Sequence, residues 1–277
     1  MTTQVLAAPA EVRATRGSAF SHTLAMEWTK LRSVRSTAYS FAAFALVSVG
    51  LSTLITWVSV RGWNTMSAAQ QLEYRQDPTG GILGAGFFLG QLAICVLGVL
   101  VITSEYSTGM IRASLLAVPS RGPMLAAKGL VFAAATFVLG ELVSLGAFFL
   151  DAPILSSRVR VGIGDPGVLR ALIGGGLYLA VLGVFAMAIG TMVRHSAGGI
   201  AGVVGFVLVL SPLAQLLPGS LGKHIHAYLP AEAGQLITQS SRGPDDLLSP
   251  VQGFAVFCLW TAALSLLAWY LLKRRDA

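Results

Sequence analysis

The chain has 277 residues, 55% of them hydrophobic and only 11% charged, with 19 Lys and Arg against 12 Asp and Glu. Soluble domains carry roughly 25% charged residues, so this composition excludes an ordinary soluble globular domain and points to a membrane protein. The net charge of +7 does not read as a nucleic-acid footprint, because the basic residues sit between apolar runs, where they report orientation.

Residues 1–36 hold Glu11, Arg13, Arg16, Glu27, Lys30, Arg32 and Arg35. No apolar stretch interrupts them, so they do not form a cleavable signal peptide. Residues 1–18 are expected to be a flexible cytosolic tail, and residues 19–277 a single membrane domain. Within "FSHTLAMEWTKLRSVRS" (residues 20–36), Phe20, Leu24, Trp28 and Leu31 recur at helical spacing, with Lys30, Arg32 and Arg35 nearby. This pattern predicts an amphipathic helix lying in the headgroup region, as an anchor for the first span or a platform for a partner.

About 20 apolar residues are needed to cross the hydrocarbon core. Six runs reach that length: 39–60, 82–103, 125–150, 171–193, 198–217 and 253–272. They are continuously apolar, without the alternation of a barrel strand, so an all-α polytopic fold is expected. With both termini in the cytosol, twelve Lys and Arg fall on the inner side and seven on the outer. That asymmetry sets the orientation, and the membrane expected is the plasma membrane of the cell. Cys95 and Cys258 lie within apolar runs and read as small buried hydrophobes, with neither disulfide nor metal spacing.

Between the second and third runs stands "ITSEYSTGMIRASLLAVPSR" (residues 102–121). Ser107 or Thr108 could cap a short helix in which Met110, Ile111, Leu115 and Val118 form an apolar side, ending at Pro119. Glu105 and Arg112 would share a face if that helix ran through Gly109. Such a side must be buried, in the membrane surface or in another protein.

"MEWTKLRSVRST" before the first span and "SEYSTGMIRASLLAVPSR" after the second resemble permease subunits of type-2 ABC exporters, actinobacterial ones in particular. The resemblance covers nearly the whole chain. It implies that the first cytosolic loop holds a coupling helix resting on a separate ATPase, with the N-terminal helix beside it. Carried over, Glu105, Tyr106, Thr108, Gly109, Ile111 and Arg112 belong to that coupling region, joined by Leu115 from the apolar side. The implied partners are two copies of an ATPase subunit carrying ATP and Mg, and a second permease copy, expected as a homodimer or as a pair with a similar subunit, because a six-span bundle encloses a pathway poorly by itself. No G-x-x-x-x-G-K-[ST] occurs in the sequence, so no such phosphate-cradling loop belongs to this chain.

Farther along, Gly86-x-x-x-Gly90 and Gly198-x-x-x-Gly202 are close-packing motifs, more often intrachain than a dimer seam. Glu141 is the one charge expected within a span. Its insertion cost of roughly 2.5–3.5 kcal/mol predicts that it faces the bundle interior. There it either lines a substrate path or stays protonated or hydrogen-bonded, with Ser144, Gln91 and Thr136 as candidate companions. Pro212 is expected to kink the fifth span. In the outer loop 218–251, His224-Ile-His226 with Glu232 is by itself a weak metal pattern, and the resemblance implies short re-entrant or cap elements there that close the outer end. The expected activity is ATP-driven export of a hydrophobic or amphipathic solute, with hydrolysis on the partner and no catalytic residues or directly bound cofactor in this chain. The alternatives are an ATPase-independent channel or solute carrier, or a lipid-processing enzyme, for which no catalytic arrangement emerges.

Overall fold

The computed structural model describes residues 16–110, 121–243 and 246–274. They form α1 (Arg16–Ser33), α2 (Arg35–Arg61), α3 (Ala68–Gln76), α4 (Pro78–Ser107), α5 (Arg121–Leu155) and α6 (Val168–Val193). The fifth apolar run is α7 (Ser196–Gln215), followed by α8 (Gly219–Tyr228), α9 (Pro230–Gln235) and α10 (Pro250–Arg274). The fold is all-α, and α2, α4, α5, α6, α7 and α10 are long and apolar enough to span a membrane. Each coincides with an expected run and extends it by a few residues in most cases. Exposed Leu46, Leu142, Leu216 and Leu259 are what a lipid-facing surface requires.

Helix α6 is the axis of the bundle: 78% of its apolar window is buried, against 22% for α2 and for α10. It packs on α4, α5 and α10, while α2 closes the far side against α4 and α5. Glycines permit this proximity. A Cβ on Gly98 of α4 would stand 2.7 Å from the carbonyl oxygen of Gly183 on α6. The Gly86-x-x-x-Gly90 motif serves the α2 contact within the chain, since a Cβ at Gly86 would meet the Ser48 carbonyl at 2.6 Å.

Helix α1 begins at Arg16. Chain direction changes at Val34, which is extended (φ −87°, ψ 101°). The fifth span is distorted by a π turn over Gly205–Val209. Pro212 follows it and has no N–H to offer the carbonyl of Leu208, so the helix widens there and resumes at Leu210–Gln215. At one end of the bundle, α8 packs against the end of α7, and α9 and a 3₁₀ turn (Leu236–Thr238) fold back between α6 and α10, in keeping with the expected partial helices. Gln235 reaches inward to Gln91 (3.2 Å) and to the Tyr178 hydroxyl (3.3 Å).

Candidate functional site

At the opposite end, four charged side chains from three helices meet. Lys128 of α5 lies 2.5 Å from Glu27 Oε2 of α1 and 2.8 Å from Glu105 Oε1 of α4. Lys30 of α1 adds bonds to Glu27 Oε1 at 2.9 Å and to Glu105 Oε1 at 3.1 Å. Glu27, Glu105 and Lys128 are 3–5% exposed, so their charges are sustained by one another rather than by water. Burial alone would lower the Lys30 ammonium, but the Glu27 and Glu105 carboxylates outweigh it and hold Lys30 above its ordinary value. Two carboxylates and two ammonium groups give a neutral junction. Its second Glu105 oxygen, Oε2, is buried without a hydrogen-bond partner.

Local sequence places each group. Glu27 and Lys30 are one helical turn apart on α1, on the side that also buries Thr23. Glu105 lies in the last turn of α4, and Lys128 lies two turns into α5. The neighbouring Tyr106 ring receives the Arg194 guanidinium at 5.1 Å, and Thr103 accepts a hydrogen bond from Ser196 at 2.8 Å. The tip of α4 is therefore fastened to α1, to α5 and to the α6–α7 turn at once. Beside the junction a cavity of about 630 Å³ opens between the α1–α2 bend, α4 and α5, with Leu31, Thr37, Leu97, Ser104 and Phe132 on its walls.

Of the residues singled out from the sequence, Glu105 is central to this junction, and Tyr106, Thr108 and Gly109 adjoin it. Ser107 ends α4 and Thr108 is its C-cap, while the helix they were expected to begin lies, past Met110, outside the described residues. Their hydroxyls donate back to the Ser104 carbonyl at 3.0 and 2.7 Å, closing α4. Gly109 has φ +72°, so α4 does not run through it, and the shared face expected for Glu105 and Arg112 has no continuous helix beneath it. Ile111, Arg112 and Leu115 lie outside the described residues, as does most of the expected coupling helix. On α1, Phe20, Leu24 and Leu31 are half-buried while Trp28 is 46% exposed. The face turned to the bundle carries Thr23 and Glu27 together with Leu31, so it is more polar than the amphipathic pattern implied.

Glu141 is half-buried where α5 crosses α6, over Gly176, and its Oε1 has no hydrogen-bond partner. The expected companions are engaged elsewhere or apart. Gln91 accepts from Tyr178, Thr136 donates to its own helix, and Ser144 Oγ is unpartnered. Glu141 is also not the one charge within a span. Asp151 on α5 is fully buried and accepts from Ser52 of α2, with Thr56 3.5 Å away, while Lys128 and Glu105 lie within α5 and α4. Sequence reading counted Lys128 among the twelve inner basic residues and gave neither it nor Glu27 a partner. The available signal was a lysine inside an apolar run and an acid inside a basic segment, each needing a partner of opposite sign.

On the far side of the bundle, Ser211 donates to Glu232 and lies 3.1 Å from His226 Nδ1, and His226 Nε2 is 3.6 Å from Glu232. Serine here gives its proton to the carboxylate directly, and the imidazole does not stand between them as a base would. Among the described residues no three His, Cys, Asp or Glu side chains converge on a metal position. No family model matches this chain, and no curated protein matches it either.

Proposed function

We propose that this multi-pass membrane protein is the membrane-embedded subunit of an ATP-driven exporter of the type-2 ABC kind. In this reading two copies of the chain stand over two separate ATPase subunits, which hold ATP and Mg and carry out hydrolysis. The substrate is a hydrophobic or amphipathic solute moved outward across the plasma membrane. The observation that carries the reading is the buried junction of Glu27, Lys30, Glu105 and Lys128. It binds the N-terminal helix to both helices that flank residues 108–120. A push on that loop from below would move α1, α4 and α5 together rather than bend one of them, which is how nucleotide closure could shift the population between two arrangements of the spans.

The test is to purify the tagged full chain from its own membranes in mild detergent and identify its companions by mass spectrometry. A stoichiometric ATPase with a Walker A motif is expected, lost on Ile111→Asp and retained, but with transport uncoupled from hydrolysis, on Lys128→Ala. A preparation free of any ATPase, in a detergent that keeps known complexes whole, would replace this reading with an ATPase-independent channel.

A further inference from the structure

A groove lies on the lipid-facing side of the bundle, between α5 and α10, with α6 as its floor. Its two compartments, of about 620 and 300 Å³, share Ala133, Val184 and Ser265 and are therefore continuous. Small residues give it depth: Gly122, Ala126 and Gly129 on α5, Ala188 on α6 and Ala268 on α10. No Asp, Glu, Lys or Arg is among its described lining residues.

Two features decide what fits. The first is length. The groove runs along α5 from Gly122 to Ala133 and along α10 from Trp269 back to Cys258. Either path covers eleven residues, or about 16 Å, close to half of a hydrocarbon core of about 30 Å. A transmembrane helix of a second copy would need the full width, whereas one acyl chain of a single leaflet needs half. The second is charge. The groove opens at the end where Arg121 donates to the Leu272 carbonyl at 2.6 Å, Lys273 sits 3.9 Å from the centre of the Trp269 ring, and Arg274 lies over Tyr270 at 5.3 Å. Lys273 and Arg274 are exposed. A tail-length apolar slot beneath a cationic, aromatic rim matches a lipid with an anionic headgroup.

We propose that the α5–α10 groove is a binding site for one anionic phospholipid, with an acyl chain seated against Ala126, Gly129 and Ser265 and its phosphate held at the Arg121–Lys273–Arg274 rim. The site is separate from the junction around Lys128 and does not depend on the transport reading.

Trp269 lines the groove and reports on it. The full chain is placed in phosphatidylcholine nanodiscs and titrated with phosphatidylglycerol bearing brominated acyl chains, which quench indole fluorescence at contact. The difference between wild type and Trp269→Phe isolates the groove signal. Saturable quenching by the phosphatidylglycerol, and weak quenching by brominated phosphatidylcholine, is expected. The double variant Lys273→Gln/Arg274→Gln should weaken it roughly 30-fold, each cation near the surface counting about fivefold. Ala126→Phe, at an exposed position, and Ser265→Phe should each abolish saturation with the rim intact. Equal quenching by both lipids overturns the proposal. So does full saturation in Ala126→Phe and Ser265→Phe, which would leave only surface attraction. Conversion of a dimer to a monomer by those variants, with lipid binding unchanged, would assign the groove to a second copy instead.

Discussion

Lys128 is the residue on which the four-residue junction depends, since it touches both buried carboxylates and is itself 4% exposed. Removing it leaves Glu27 and Glu105 facing each other in a dry site, with Lys30 at the edge as their nearest cation. Breaking a buried pair in this way costs about 3–5 kcal/mol, whereas an ion pair that reaches solvent contributes about 1 kcal/mol or less. Lys128→Ala should therefore lower the melting temperature of the detergent-purified protein markedly, and Lys30→Ala only slightly; equal effects would refute this division. The pH course separates them further. Lys30 is held above its ordinary value by the two carboxylates. A group raised on folding stabilises fully below its unfolded pKa, and that contribution fades as pH rises through the folded one. The stability difference between wild type and Lys30→Ala should thus be flat through neutral pH and shrink only above the ordinary lysine range, near pH 10.

At the level of single helices, packing is decided by where a side chain has no room. Gly98 and Gly50 are both helical glycines in membrane-spanning segments, yet their surroundings differ. A Cβ at Gly98 would press on the Gly183 carbonyl at 2.7 Å, and backbone cannot swing aside; at Gly50 nothing lies within 4 Å. Gly98→Ala should destabilise by about 1–3 kcal/mol through overpacking, and Gly50→Ala should be neutral or stabilise by up to about 1 kcal/mol through helix propensity. Thermal unfolding of the two variants side by side checks the opposite signs. The spans themselves were legible in the sequence, because an apolar run of sufficient length has few other solutions in lipid. Their partners were not. Glu27 and Lys128 are 101 positions apart, and local spacing carries no information about contacts at that distance. The same limit explains Glu141, whose chosen companions Gln91 and Thr136 turned out to be satisfied by Tyr178 and by the Phe132 carbonyl. Gly109 shows the converse, since its positive φ follows the end of α4 and removes the continuity that a face shared by Glu105 and Arg112 requires.

For the whole molecule, the two ends of the bundle are held by different sets of polar contacts. Glu105, Lys128, Arg194, Arg121, Lys273 and Arg274 gather at one end through direct contacts. The other end is held by Asp77, which accepts from the Ser240 amide at 2.8 Å, and by Arg170, which donates to the Ser240 carbonyl at 3.0 Å. If the basic end faces the cytosol, as the loop asymmetry predicts, a membrane-impermeant thiol reagent applied to intact cells should label Ser220→Cys and spare Ser33→Cys. Both positions are exposed, while native Cys95 is buried and Cys258 half-buried within spans. The reverse labelling would invert the orientation.

The inward reach of Gln235 also bears on the order in which the chain is assembled. Gln91 lies thirteen residues into α4 from Pro78, about 20 Å along its axis, and Tyr178 is fully buried on α6. Until Gln235 arrives, the Tyr178 phenol has only the Gln91 carboxamide, which also donates to the Phe88 carbonyl of its own helix. Helix α9 lies against both α6 and α10, and a nascent chain that has emerged only as far as Ser249 supplies one wall of that bed and lacks the other. The bed for the stretch between the fifth and sixth spans is therefore complete only once α10 is in place beside α6.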